Sequence, residues 1–252
     1  MPDAIVLAGG AGEPGLDPGV TNKGFIPLAG RPLVAHVVRA LQSARGVGRI
    51  AAVGPAEALR AALPPEITLV EDAGGIMDNV VRAITILGPA ARTLVVASDI
   101  PLLTPQAVED FLFACENNSA DFHYAIVPQD AVERAYPGAR KTFVRVVDGT
   151  FTGGSVMLFN PAVVDRVRTF VDKVIAARKK PWLLAQLFGW SVVMKFASGH
   201  LSIAEMQEKV TEILGITARA IISPHPELAL DVDVGKPENL EIIRRALEAP
   251  NS

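Results

Sequence analysis

Apolar residues along this chain gather into short runs separated by segments with helical spacing. Strand-like runs stand at Ala4–Ala8, Arg49–Val53, Ile67–Val70, Thr93–Ala97 and Phe122–Val127. Between them the apolar positions recur at helical intervals. After Pro32, which suits a first helical turn, Leu33, Val34, Val37, Val38 and Leu41 share one face. A second helix is expected to open at Asp78, with Val80, Val81, Ile84 and Leu87 inward. A third is expected at Thr104-Pro105, a capping residue followed by proline. Strands alternating with helices predict an α/β fold in three layers, α/β/α, around a mainly parallel mixed sheet. Folds of this kind place ligands beyond the carboxyl ends of the strands.

The alternation stops near Pro128. Pro128 to Lys141 reads as a polar loop, and two strands follow at Thr142–Val147 and Ser155–Phe159, joined through Asp148-Gly149 and Gly153-Gly154. Residues 161–214 read as a helical block. The chain then returns to a strand at Ala218–Ser223, the segment Asp231-Val232-Asp233 and a closing helix from about Pro237. No internal repeat interrupts this order, so the 252 residues are expected to form one domain, 1–252.

Composition narrows the partners. The net charge of −3 gives no electrostatic reason to expect a nucleic acid. A single cysteine, Cys115, excludes an internal disulfide framework and falls on a helical run where a buried thiol is expected. Asp3 precedes only five apolar residues, too few for a secretory signal, and Trp182–Met194 falls short of the roughly 20 residues of a membrane span. A cytoplasmic protein is expected, and the helical block is the natural place for acceptor specificity or homo-oligomer contacts.

The candidate chemistry starts at the first strand, which empties into Gly9-Gly10-Ala11-Gly12, with Lys23 downstream. Glycines let backbone N–H groups approach a phosphate, and a lysine adds a point charge to the same oxygens. Gly10 to Gly15 matches the dinucleotide pattern G-x-G-x-x-G, but Pro14 and Pro18 prevent the helix that must open inside it. No Lys-Ser or Lys-Thr pair follows at P-loop spacing either. Asp231 and Asp233 alternate with Val232, so on an extended chain both carboxylates share a face. Lys141 and Arg145, four apart on a strand, share a face that suits an anionic acceptor, although exposed edge charges give the same pattern. The four histidines lack metal-ligand spacing. Arg178-Lys179-Lys180, followed by Trp182, Phe188, Trp190 and Met194, suits either a membrane surface or, more commonly, a packed or oligomeric helix.

Four separated segments together resemble the nucleotidyltransferases of the glycosyltransferase-A-like fold, in particular the molybdenum cofactor guanylyltransferase (MobA-like) branch. They are Leu7-Ala8-Gly9-Gly10-Ala11-Gly12; Lys23 through Pro27-Leu28-Ala29-Gly30-Arg31-Pro32; Ala97-Ser98-Asp99-Ile100-Pro101-Leu102-Leu103; and Asp231-Val232-Asp233 with Pro237-Glu238-Asn239-Leu240. The resemblance implies a nucleotide-diphospho-sugar-transferase-like fold with a nucleotide-binding half, 1–127, and an acceptor-binding half, 128–252. It implies that a nucleoside triphosphate is held by the glycine loop, including Leu7 and Ala8, and by Lys23, and that a phosphorylated acceptor attacks its α-phosphorus to expel pyrophosphate. By the same resemblance Asp99 and Asp233 hold Mg²⁺, with Asp99 and Lys23 catalytic. The resemblance also sets Gly74, Gly75 and Asn79 against the base, where a turn followed by a helix cap reads equally well, and puts Gly153 and Gly154 on the acceptor side with Lys141 and Arg145. Where the family continues its glycine loop with an arginine, this chain has Glu13-Pro14-Gly15. An acidic side chain there would repel phosphates, which leaves a nucleotide-binding regulator without turnover as the alternative. Arg31 and Arg82 are the candidate substitutes for the missing cation.

Overall fold

Alternation along the first strand sets the layering. Ala4 and Val6 of β1 (Asp3–Leu7) face one apolar cluster and Ile5 faces another, the period of two that divides the faces of a sheet. The computed structural model describes residues 1–10, 16, 19–20, 22–177 and 181–249. After β1 come a 3-10 turn at Lys23–Phe25, β2 (Pro27–Leu28), β3 (Arg31–Pro32), α1 (Leu33–Ser43), β4 (Ile50–Gly54), α2 (Ala56–Ala62), β5 (Thr68–Glu71), α3 (Ile76–Leu87), β6 (Thr93–Ala97) and α4 (Pro105–Asn117). They are followed by β7 (Phe122–Pro128), α5 (Gln129–Ala135), β8 (Val144–Val146), β9 (Gly149–Phe159), α6 (Val164–Ala177), α7 (Pro181–Phe188), α8 (Trp190–Ala197), α9 (Ile203–Leu214), β10 (Ala218–Ile222) and α10 (Pro237–Glu248).

The main sheet runs β10-β7-β9-β6-β1-β4-β5, with β8 paired to β9 beside this path. Pairings β1–β4, β1–β6, β4–β5 and β7–β10 are parallel; β9 runs against both β6 and β7. The mainly parallel mixed sheet is therefore as expected, and the sheet carries strands from both ends of the chain. One face is covered by α1 and α4, through Val37, Leu41, Val108 and Phe111, and the other by α3 and α6, through Val80, Leu87 and Val164. A smaller cluster of Leu28, Leu33, Leu230, Val232 and Ile243 ties α10 to the β2–β3 hairpin and to the segment before it. Among the described residues no helix is long and apolar enough to cross a membrane.

Three expectations are corrected. The segment after Pro128 is not all loop: α5 forms there, and Val132, its one buried residue, is too little periodicity to read among Asp130, Glu133 and Arg134. The helix expected at Asp78 opens two residues earlier, with Gly75 as its cap. Gly153-Gly154 is no joint but lies inside the eleven-residue β9. A Cβ on Gly154 would stand 2.9 Å from that of Ala125, and one on Gly153 only 2.2 Å from the Tyr124 hydroxyl. Glycine lets β9 pass β7 where their register shifts between Tyr124 and Ile126.

Phe111 is 1% exposed and joins α4 to the larger cluster. Phe111→Ala should lower the unfolding free energy by about 3–5 kcal/mol, read from the denaturant midpoint.

Candidate functional site

The site is built where β6 ends. Ser98 and Asp99 follow Ala97 and are both buried. Across from them the 3-10 turn at Lys23–Phe25 is pinned by Asn22, whose side-chain amide donates to the Ala8 carbonyl at 2.9 Å and whose Oδ1 accepts from Gly24 N at 2.9 Å. Gly24 packs so closely that a Cβ would meet Ser98 Oγ at 2.6 Å. This anchoring delivers Lys23 Nζ to Asp99 Oδ2 at 2.6 Å. Burial pushes the Asp99 carboxyl up from its ordinary value, Lys23 pulls it back, and the neighbouring Asp231 adds to the upward push. Asp99 Oδ1 is buried and has no hydrogen-bond partner among the described residues.

The C-terminal segment closes around this pair. Val232 N donates to the Asp99 carbonyl at 2.8 Å, fixing Asp231 and Asp233 beside it. Asp231 receives Lys141 Nζ at 2.5 Å. Burial, reinforced by Asp231, raises the Tyr124 phenol. Asp233 is held below the usual carboxylate range chiefly by Lys236, at 3.0 Å, and also by Gly235 N and Lys23. Asn239, fully buried, accepts from Arg140 N at 2.7 Å and donates to the Arg140 carbonyl at 3.1 Å, which positions the adjoining Lys141.

A second cluster surrounds the glycine loop. Asp72 accepts from Gly10 N at 2.6 Å, from Gly74 N at 2.8 Å and from Asn79 Nδ2 at 2.8 Å. The Gly10 contact does most to hold its carboxyl below the ordinary value. Asn79 accepts in turn from Ala73 N at 2.6 Å. Gly9 leaves room for this clasp, since a Cβ there would fall 2.7 Å from Asp72 Oδ2. Arg82 donates to the Glu71 carbonyl at 3.1 Å and adds to the lowering of Asp72.

Of the residues expected from sequence, Lys23, Asp99 and Asp233 come together, and Leu7, Ala8, Gly9 and Gly10 lie beside them at the end of β1, joined to Gly74 and Asn79 through Asp72. Gly75 caps α3. Ala11, Gly12 and the Glu13-Pro14-Gly15 departure lie outside the described residues. Arg82 stands at the loop, whereas Arg31 acts on His36. Lys141 and Arg145 do not share a face: Lys141 precedes β8 and is nearly buried against Asp231, while Arg145 is exposed beside Gly199. Their expected pairing fails because the strand is three residues long. Cys115 is buried as expected, its thiol pushed up to about 12 by desolvation. The structural parts of Asn22, Asp72, Tyr124 and Asn239 were not visible in the sequence; of the four only Asp72 stands at a strand end, directly after β5, and the others carry no local signal.

Among the described residues no three His, Cys, Asp or Glu side chains form a ready metal cage. Mg²⁺ requires less from a protein, one or two carboxylates completed by waters and substrate phosphates. The unpartnered Asp99 Oδ1, with the Asp233 carboxylate near Lys23, fits that demand.

Comparison with known proteins bears on the family and the fold. The family model of the MobA-like NTP transferase domain matches residues 4–188. A hypothetical transferase from Thermus thermophilus superposes with a TM-score of 0.83 at 38% identity, over 92% of this chain and 96% of that one. The 2-C-methyl-D-erythritol 4-phosphate cytidylyltransferase of Rubrobacter xylanophilus is 51% identical over 57 residues, 23% of each chain. The bifunctional protein GlmU of Paraburkholderia xenovorans is 34% identical over 113 residues, 42% of this chain and 24% of that protein. The chain thus spans about a quarter of the length of these two curated relatives.

The Asp72 clasp has a pH signature. A carboxyl depressed in the folded state contributes stability that is present above its unfolded value, near about 3.9, and lost as pH falls through the lower folded value. Asp72→Asn stands in for the protonated acid. Wild type should exceed the variant in urea midpoint at pH 7, and the gap should narrow as pH falls below about 3.9; a gap independent of pH would mean that the ionised clasp contributes nothing.

Proposed function

Since the chain belongs to the MobA-like NTP transferase domain family, we propose that it transfers a nucleoside monophosphate from a nucleoside triphosphate to a small phosphorylated acceptor, molybdopterin-like or sugar-phosphate-like. An acceptor phosphate oxygen bonds to the α-phosphorus as the bond to the bridging oxygen breaks, and pyrophosphate leaves. The observation that carries this reading is the ion pair between the partly exposed Lys23 and the buried Asp99, 2.6 Å apart, at the end of β6 beside the glycine loop.

Charge gathers on the non-bridging oxygens as the α-phosphorus is attacked, and preorganised donors there lower the barrier. Lys23 supplies an ammonium from a turn that Asn22 and Gly24 fix, so little reorganisation is needed. The phosphates would lie along the glycine loop, where the Gly10 N–H is held by Asp72 and must exchange that carboxylate for phosphate or be passed by, and Gly74, Gly75 and Asn79 would border the base. Asp99 and Asp233 would hold Mg²⁺, which neutralises phosphate charge when bound. On the acceptor side, Gly153 leaves backbone open beside the Tyr124 hydroxyl, Gly154 lets β9 hold that position, and Lys141 is fixed by Asp231; Arg145 reaches only an acceptor that extends towards Gly199. The name of the Rubrobacter relative contains a sugar-alcohol phosphate, which supports a phosphorylated acceptor.

Glu13-Pro14 in place of the family arginine favours a second reading, a nucleotide-binding regulator without turnover. Pyrophosphate release measured with the four common triphosphates and a panel of phosphorylated acceptors separates the two. Turnover should require Mg²⁺, stop with chelator, and fall by about 10²–10³-fold in Lys23→Ala and in Asp99→Ala. No release, together with stabilisation of roughly 2.7 kcal/mol by a nucleotide at a hundredfold its dissociation constant, would favour the regulator. No release and no stabilisation would reject both.

A further inference from the structure

The helical block contains a feature that nucleotide transfer does not use. Six of the eight residues of α8 are apolar (Trp190, Val192, Val193, Met194, Phe196 and Ala197), yet none of the eight is buried. Trp190 is 65%, Met194 62% and Phe196 45% exposed, and on the preceding helix Trp182 is 56% exposed. Trp190 and Met194 stand four apart on one face of α8. A short helix of this composition is expected to be covered. The block is nonetheless attached to the fold: Ala185 of α7 is buried, and Phe188 packs edge-on against Phe170 of α6 with ring centroids 5.5 Å apart. No described residue of α7 or α8 joins any of the three core clusters.

Charge indicates what covers this surface. From Lys173 to Ala204 the sequence contains no Asp or Glu but has Lys173, Arg178, Lys179, Lys180 and Lys195, in a chain whose net charge is −3. Lys195 is paired with Glu205 of α9, so the cationic character rests mainly on the run directly ahead of α7. By sequence this run adjoins α7, and a second copy would bring an equally basic block rather than a complementary charge. An anionic lipid surface complements it, and tryptophans beside basic residues are the side chains that settle at the headgroup level.

We propose that α7 and α8 form an interfacial anchor that seats the protein on anionic membranes without spanning them. The proposal does not depend on turnover. Trp182 and Trp190 are the two tryptophans of the chain, so intrinsic fluorescence reports directly on this surface. With full-length protein and vesicles of phosphatidylglycerol and phosphatidylcholine, tryptophan emission should shift to the blue and the protein should co-float. Binding should be at least about tenfold weaker on pure phosphatidylcholine and should fall with added salt. Trp182→Ser/Trp190→Ser should lose flotation while keeping its unfolding midpoint, because both side chains are exposed. Absence of binding to the anionic vesicles at low salt, or undiminished flotation of the double variant, would overturn the proposal. So would a blue shift in lipid-free buffer that grows with protein concentration, since a second copy would then cover the face.

Discussion

The arrangement depends on a carboxylate that burial alone would not tolerate as an ion. Asp99 is 6% exposed at the end of a parallel strand, and a lone charge there would be too costly to keep. Lys23 makes the ionised form tolerable, and Lys23 can do so only because Asn22 and Gly24 dock its turn against Ala8 and Ser98. The same point fixes the C-terminal segment, since the Asp99 carbonyl receives Val232 N and the side chain of Val232 enters the cluster beneath α10. Three stretches far apart in sequence therefore meet at one ion pair. The parallel sheet supplies the place, and the pair supplies the requirement that all three be held closely.

The surroundings extend this matching of charge. Lys23 faces Asp99, Lys141 faces Asp231 and Lys236 faces Asp233. Among the described residues around Asp99, each of these three carboxylates thus has an ammonium as its partner. Pairs of this kind keep each group where it is needed and make the availability of the lysines depend on what the carboxylates hold. Under the proposed function such a site would discriminate against an anion that arrives without a cation of its own.

Most of the frame could be read from the chain because its signals are local. Apolar runs such as Thr93–Ala97 and the capped proline at Thr104-Pro105 specify strand and helix through backbone and burial preferences acting within a few residues. Lys23 and Asp99 were legible too, each lying next to an element whose end was clear. What escaped depends on contacts across the fold. Gly153-Gly154 looks like a turn until β7 is seen pressing on it, and α5 has one buried residue to announce it. Lys141 and Arg145 share a spacing that means a common face only if the strand is long enough, and β8 is not. Asn79 has the sequence position of a helix cap, yet its amide is committed to Asp72 and Ala73, an outcome set by a loop 62 residues removed from Asp72.

Asp72 also changes how the absent loop arginine is weighed. The Gly10 N–H, one of the donors that a glycine loop would offer to phosphate, is occupied by a carboxylate at 2.6 Å. Negative charge therefore stands at this loop whether or not Glu13 contributes more, and phosphate must either displace Asp72 or bind beyond it. Arg82 is the side chain that already answers this charge, reaching the Glu71 carbonyl and lowering the Asp72 carboxyl. Under the proposed function a guanidinium there would supply part of what an arginine within the loop would, though from α3 rather than from the glycine segment. The absent residue is thus weaker evidence against turnover than the sequence made it, because the relevant quantity is the charge balance of the whole loop environment and not the identity of one position.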